Sequence, residues 1–396
     1  MKQNHEGARS LANAVREPAV RVAAGSHAFP DDMWPEQRRT TRAMSAAGAR
    51  TPDTSGSNEA TVKADPDTLA AGRAGPGRID VHAHFLPEQY RSALVAAGHA
   101  RPSGMPGIPA WSIDGAIRMM DRLHIDAALL SISAPGLHFG DDAAARKLAR
   151  YTNEEGANAV VAHPRRFGLF AALPLPDIDG SLTEIEYAFD TLHSDGVVVE
   201  SNHNGVYLGD RKLDPVFDEL NRRHAKVFIH PTNPHCTCCQ DSTALPPIGY
   251  PFPMLEFMFE TTRAVFNLIL SGTLERFPNL KIIVPHAGAT IPILADRVAG
   301  LSSALGLPEP LDVARFYDML RGLHYDLAGF PLPRQILPLL EIADPKRILY
   351  GSDWPYTPEL LVADLAEKLD NTALLSPAMR KDFMRDNALT LFPRFA

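Results

Sequence analysis

The chain runs to 396 residues with 45% hydrophobic side chains, enough for one large domain plus additional segments. Its formal net charge of −8 argues against a nucleic-acid binder, whose footprint is basic, and no apolar run approaches the roughly 20 residues that span a bilayer. The three cysteines, Cys236, Cys238 and Cys239, fall in one short stretch, which is no disulfide framework and suits a reducing, cytoplasmic compartment.

Residues 1–76 are rich in Ala, Gly, Arg, Ser, Thr, Asp and Pro and carry weak apolar periodicity, so they read as a disordered leader. Arg38-Arg39 precedes a small-residue stretch, Ala43–Ala49, that is too short and too weakly apolar for a good export segment. From Arg78 the pattern changes, and residues 77–396 read as a single domain. Short β-branched runs alternate with longer amphipathic ones. The candidate strands are Ile79–His84, Ala127–Ile132, Gly168–Leu173, Gly196–Glu200, Val227–His230, Lys281–His286, Leu323–Asp326 and Arg347–Ser352. Candidate helices are Ile113–Leu123, Asp141–Val161, Leu182–Leu192, Pro215–Arg223, Leu255–Ser271, Ile291–Leu301, Leu332–Ile342 and Ala378–Leu391. This alternation predicts an α/β fold, a (β/α)₈ TIM-type barrel, with a doubly wound sheet as its rival. The polar residues favour the barrel: active sites of such barrels sit at the C-terminal ends of the strands. Here the first, fifth and sixth candidate strands end in His, and the eighth runs into Asp353.

Asp80-Val81-His82-Ala83-His84 puts two imidazoles on one face of a strand, where both can grip one cation. Alone, His-x-His is a weak signal. His230, closing Val227-Phe228-Ile229-His230, and Asp353, after Tyr350-Gly351-Ser352, supply two further strand-end donors. Three imidazoles and a carboxylate suit one divalent metal; zinc fits this donor set, with manganese or iron also open. His286 is read as a further ligand or as a proton carrier for acid–base chemistry. Asp80 either orients a ligand histidine or satisfies backbone donors beneath the site.

The ordered series resembles the amidohydrolase superfamily. More narrowly, it resembles the branch containing aminocarboxymuconate-semialdehyde decarboxylase and aromatic-acid decarboxylases. The matching phrases are Ile79–Pro87, Asn204–Asp210, Phe228–Pro231, Ser271-Gly272 through Lys281, His286–Ala289 and Gly351–Pro355. His138–Asp141 and Glu260–Arg263 add a likeness to 6-methylsalicylate-decarboxylase-like proteins. The resemblance implies His82, His84, His230 and Asp353 as metal ligands and His286 beside the water on that metal. It also implies that Arg297 reaches a neighbouring subunit's site to bind substrate carboxylate, and hence a homodimer. Many relatives with two metals carry a bridging lysine at the end of the fourth strand. Here that strand ends in Glu200, so one metal is expected. Glu200 itself reads either as a substrate contact or as a structural hydrogen-bond partner.

Phe85, Trp111, Phe330 and Trp354 are candidate aromatic contacts for an aromatic or unsaturated acid, with Phe85 and Trp354 weighted because they adjoin strand-end ligands. His235–Cys239 reads as a substrate loop with incidental thiols, and Ala244–Pro251 as a rim or lid loop. Two reactions fit the constellation. One is non-oxidative decarboxylation of a phenolic or muconate-type acid, with His286 or Asp353 delivering a proton. The other is hydrolysis of an ester, lactone or amide, with Asp353 taking one. A non-catalytic metal-binding protein is a third and weaker reading.

Overall fold

A computed structural model describes residues 77–235, 249–302, 304–305 and 311–396. The expected leader, Cys236, Cys238, Cys239 and most of the Ala244–Pro251 loop lie outside the described residues. Eight parallel strands run in chain order around one sheet. They are β1 Arg78–His84, β2 Ile125–Ser131, β3 Phe167–Ala172, β4 Gly196–Glu200, β5 Lys226–His230, β6 Lys281–Val284, β7 His324–Asp326 and β8 Ile348–Leu349. The seam between last and first strand is closed by parallel bridges, Asp80 to Tyr350 and Ala83 to Trp354. Across it Val81 N donates to Tyr350 O at 3.0 Å and Asp353 N to His82 O at 2.7 Å. The barrel is therefore shut where the first and last ligand segments meet, and the doubly wound alternative falls.

The helices follow from local chemistry. Ser112, Asp141 and Asp177 each accept a backbone N–H three residues on, from Gly115, Ala144 and Gly180, and so start α2 (Ile113–Arg122), α3 (Asp142–Ala162) and α4 (Ile178–Asp190). They follow α1 (Glu88–Ala96), which leaves β1 behind Pro87. Next come α5 (Asp214–Arg222), α6 (Glu256–Leu270), α7 (Ile291–Ser302), α8 (Val313–Gly322), α9 (Ile336–Ile342) and α10 (Glu359–Asn371). The chain closes with helical turns over Pro377–Lys381, Asp382–Asp386 and Asn387–Leu391, where one longer helix is expected.

Outward-facing strand residues such as Ile79, Val81 and Phe85 are buried under these helices. Each such side chain removed from water contributes about 1.5–3 kcal/mol. Inside the barrel Phe170 and Phe228 stack at 5.5 Å between ring centres, and Phe228 meets His82 edge-on at 4.8 Å. That apolar plug is the floor on which the polar residues stand.

Candidate metal centre

His82, His84, His230 and Asp353 come together as expected: one donor atom from each lies within 4.8 Å of the others. The three histidines are buried and the Asp353 side chain is 18% exposed. Strand alternation explains the first pair, and the pairing of Glu200 with His230 sets the height of the third. Asp353 sits just past β8 at φ +59°, which turns its carboxylate back over the barrel mouth. The turn is feasible because Gly351 has no side chain: a Cβ there would lie 2.9 Å from His82 Cβ and 3.1 Å from Asp326 Cγ.

The donor atoms fit a cation. His82 Nε2 is buried, makes no regular hydrogen bond and lies 3.4 Å from Asp353 Oδ1, while His84 Nε2 lies 3.1 Å from the same oxygen. Burial lowers the pKa of His84, and that of His230 further still, so both offer neutral lone pairs. Burial alone would raise Asp353, but the His286, His82 and His84 rings gathered around it hold its carboxyl well below the usual range. His82 is pushed up to about 10: burial disfavours its charge, but the Asp326 and Asp353 carboxylates outweigh burial. A proton on His82 occupies the place where a divalent cation would satisfy the same carboxylate.

Asp326, at the end of β7, orients His82. Its Oδ2 lies 2.9 Å from His82 Nδ1, leaving Nε2 for the centre, and its Oδ1 accepts from His286 N at 3.0 Å and Ala328 N at 2.9 Å. The sequence reading missed this residue; the available signal was a carboxylate ending a strand of the same barrel. Asp80 instead satisfies backbone donors, accepting from His82 N and Ser352 N at 3.0 Å each, and burial lifts its carboxyl to about 7.

β6 ends at Val284, not at His286, because Pro285 has no N–H to offer the ladder. His286 follows on a left-handed turn at φ +56°, with its Nε2 3.8 Å from Asp353 Oδ2. Glu200 does not line the cavity: its Oε2 lies 3.5 Å from His230 Nδ1, and burial pushes its carboxyl well above the usual range. Phe85 is also absent from the cavity wall. It packs against Trp111, 5.9 Å between rings, because alternation turns the residue after His84 outward. Trp354 packs on the core, and its place in the wall is taken by Tyr356, which meets His84 edge-on at 5.6 Å. Arg297 is exposed on α7, outside this chain's own cavity, with no ion-pair partner among the described residues.

Above the four donors opens a cavity of about 530 Å³. Its wall is largely apolar, with Met105, Met254, Phe257, Met258, Phe330 and Leu361, and no Lys or Arg is among its described lining residues.

Residues 79–394 match the amidohydrolase family. The chain belongs to that family. It is 37% identical over 329 residues to the decarboxylase yanB of Aspergillus niger, covering 80% of this chain and 88% of that one. It is 36% identical to the 6-methylsalicylic acid decarboxylase acuB of Aspergillus aculeatus, covering 80% and 96%. Among solved structures, an amidohydrolase II superposes with a TM-score of 0.73 at 33% identity, covering 80% of this chain and 99% of that one. The dihydroxybenzoic acid decarboxylase of Polaromonas, with bound manganese and the inhibitor 2-nitroresorcinol, gives 0.64 at 25%, covering 81% and 97%.

Proposed function

We propose that this chain is a metal-dependent, non-oxidative decarboxylase of a phenolic or muconate-type carboxylic acid. The observation that carries the reading is the gathering of three buried imidazoles and one carboxylate within 4.8 Å, beneath an apolar cavity sized for an aromatic acid. The decarboxylases named among the relatives supply the reaction class. One divalent cation is held by His82, His84, His230 and Asp353. Zinc suits these donors, and manganese has the precedent of the Polaromonas enzyme. When bound, the cation supplies a Lewis acid and a template for the substrate's oxygens.

The chain's own residues manage the proton. In decarboxylation the bond from ring carbon to carboxyl carbon breaks, its electron pair stays with the ring, and the ring carbon gains a proton as carbon dioxide leaves. His286 holds that proton at Nε2, with Asp353 Oδ2 3.8 Å away to receive or return it. The apolar wall orients the ring.

The carboxylate finds no cation in the described wall of its own cavity, and Arg297 answers that lack in a homodimer. Arg297 and Ile293 lie one turn apart on α7, both exposed, and Met254 and Phe330 at the cavity mouth are 71% and 69% exposed. Such an apolar rim suits a second copy of the chain, which would carry Arg297 into its partner's cavity. A reducing compartment, the cytoplasm, suits a chain whose three cysteines fall in one short stretch.

The test is elemental analysis of purified protein coupled to carbon dioxide release across a panel of hydroxybenzoates. Release proportional to bound metal is expected. Metal-dependent cleavage of esters or lactones, with water consumed and no carbon lost, would replace this reading by hydrolysis.

A further inference from the structure

The turn that carries His286 is held in an unfavourable shape. His286, Ala287 and Ala289 all have positive φ, at +56°, +53° and +54°, and Ala289 combines it with ψ −122°, a region that side chains avoid. Three non-glycine residues of this kind in four positions persist only where something over-determines them.

Side chains fasten it from two sides. Gln335, at the start of α9, places its amide nitrogen 2.7 Å from His286 O, 2.9 Å from Ala289 O and 3.3 Å from Ala287 O. Three carbonyl oxygens converging on one atom require a donor, so the –NH₂ end faces the turn. Asp326 Oδ1 grips the same turn from the other side, through His286 N at 3.0 Å.

We infer that Gln335 is a positioning residue for the decarboxylation, clamping the strained His286–Ala289 turn so that the His286 imidazole faces Asp353. This rests on the reading of His286 as proton carrier. No alternative donor to these three carbonyls is found among the described side chains, and a misplacement of about 1 Å in a reacting group can cost roughly a hundredfold in rate.

The experiment compares the metal-loaded enzyme with Gln335→Met, which keeps the volume and removes the donor, and Gln335→Glu, which sets a carboxylate against the carbonyls. Three readouts are taken: kcat and KM on the best hydroxybenzoate, metal content, and hydrogen exchange in the peptide spanning residues 285–290. For Gln335→Met we expect kcat to fall roughly tenfold to a hundredfold, with KM and metal content unchanged and exchange in the turn faster. Gln335→Glu should be worse. Ala289→Gly, which removes the Cβ from the strained position, should restore part of the loss when combined with Gln335→Met.

Unchanged exchange with unchanged kcat would overturn the clamp. A raised KM at constant kcat would overturn it too, by making Gln335 a substrate contact of the cavity it borders. Faster exchange with full kcat would show a clamp that serves no catalysis, and so would overturn the positioning role. His286→Ala, measured alongside, separates this from failure of the underlying reading, since full activity there would remove His286 from the chemistry altogether.

Discussion

The floor and the wall of the cavity are built by opposite means. The floor is strand ends: buried and polar, with ring nitrogens held by neighbours, as His82 Nδ1 is by Asp326 and His84 Nδ1 by Ser131 Oγ at 3.1 Å. The wall comes from loops and helix starts. It is rich in methionine, and Met254 and Phe330 are mostly exposed. A rigid, pre-set floor suits chemistry that tolerates little displacement, and a methionine wall suits ring substituents of varied shape.

Breaking the floor should therefore cost far more than altering the wall. His84→Ala or Asp353→Asn should leave the protein folded but without stoichiometric metal, with activity at background; elemental analysis and carbon dioxide release check both. His286→Ala should retain its metal and lose roughly 10²–10⁴-fold in kcat. A variant with full turnover would transfer the proton to another group. Asp326→Asn should weaken metal affinity about 10–100-fold, measured by competition with a chelator. At the wall, Met258→Ala should change KM by less than about tenfold, with kcat little moved. Phe85→Leu should leave both kinetic constants alone and lower stability by about 1 kcal/mol, read from denaturant midpoints.

The same division explains what could be read in advance. The four donors were legible because a strand has a period of two and a barrel presents its strand ends at one mouth, so His82, His84, His230 and Asp353 announce themselves by position. Phe85 follows His84 and by that same alternation faces away from it, while Trp354 follows Asp353 out of a left-handed turn and packs on the core. Asp326 ends a strand of three residues with no repeating partner, and its role depends on a contact with His82 from the far end of the chain. Gln335 lies among prolines at the start of α9, and no periodic pattern marks a side chain that reads backbone carbonyls. Helix α10 was missed although Val362, Leu365, Ala366 and Leu369 are spaced for one buried face. The wall was the least legible part, since loop side chains are placed by tertiary contacts, and of the four aromatic candidates only Phe330 lines the cavity.

The seam joining β8 to β1 also bears on how the protein is made. His82 and His84 are synthesised early, Asp353 near the end, and the hydrogen bond from Asp353 N to His82 O exists only once the final strand has docked. A nascent chain halted before that strand lacks the Asp353 carboxylate. The full set of four donors is therefore complete only when the last strand has docked.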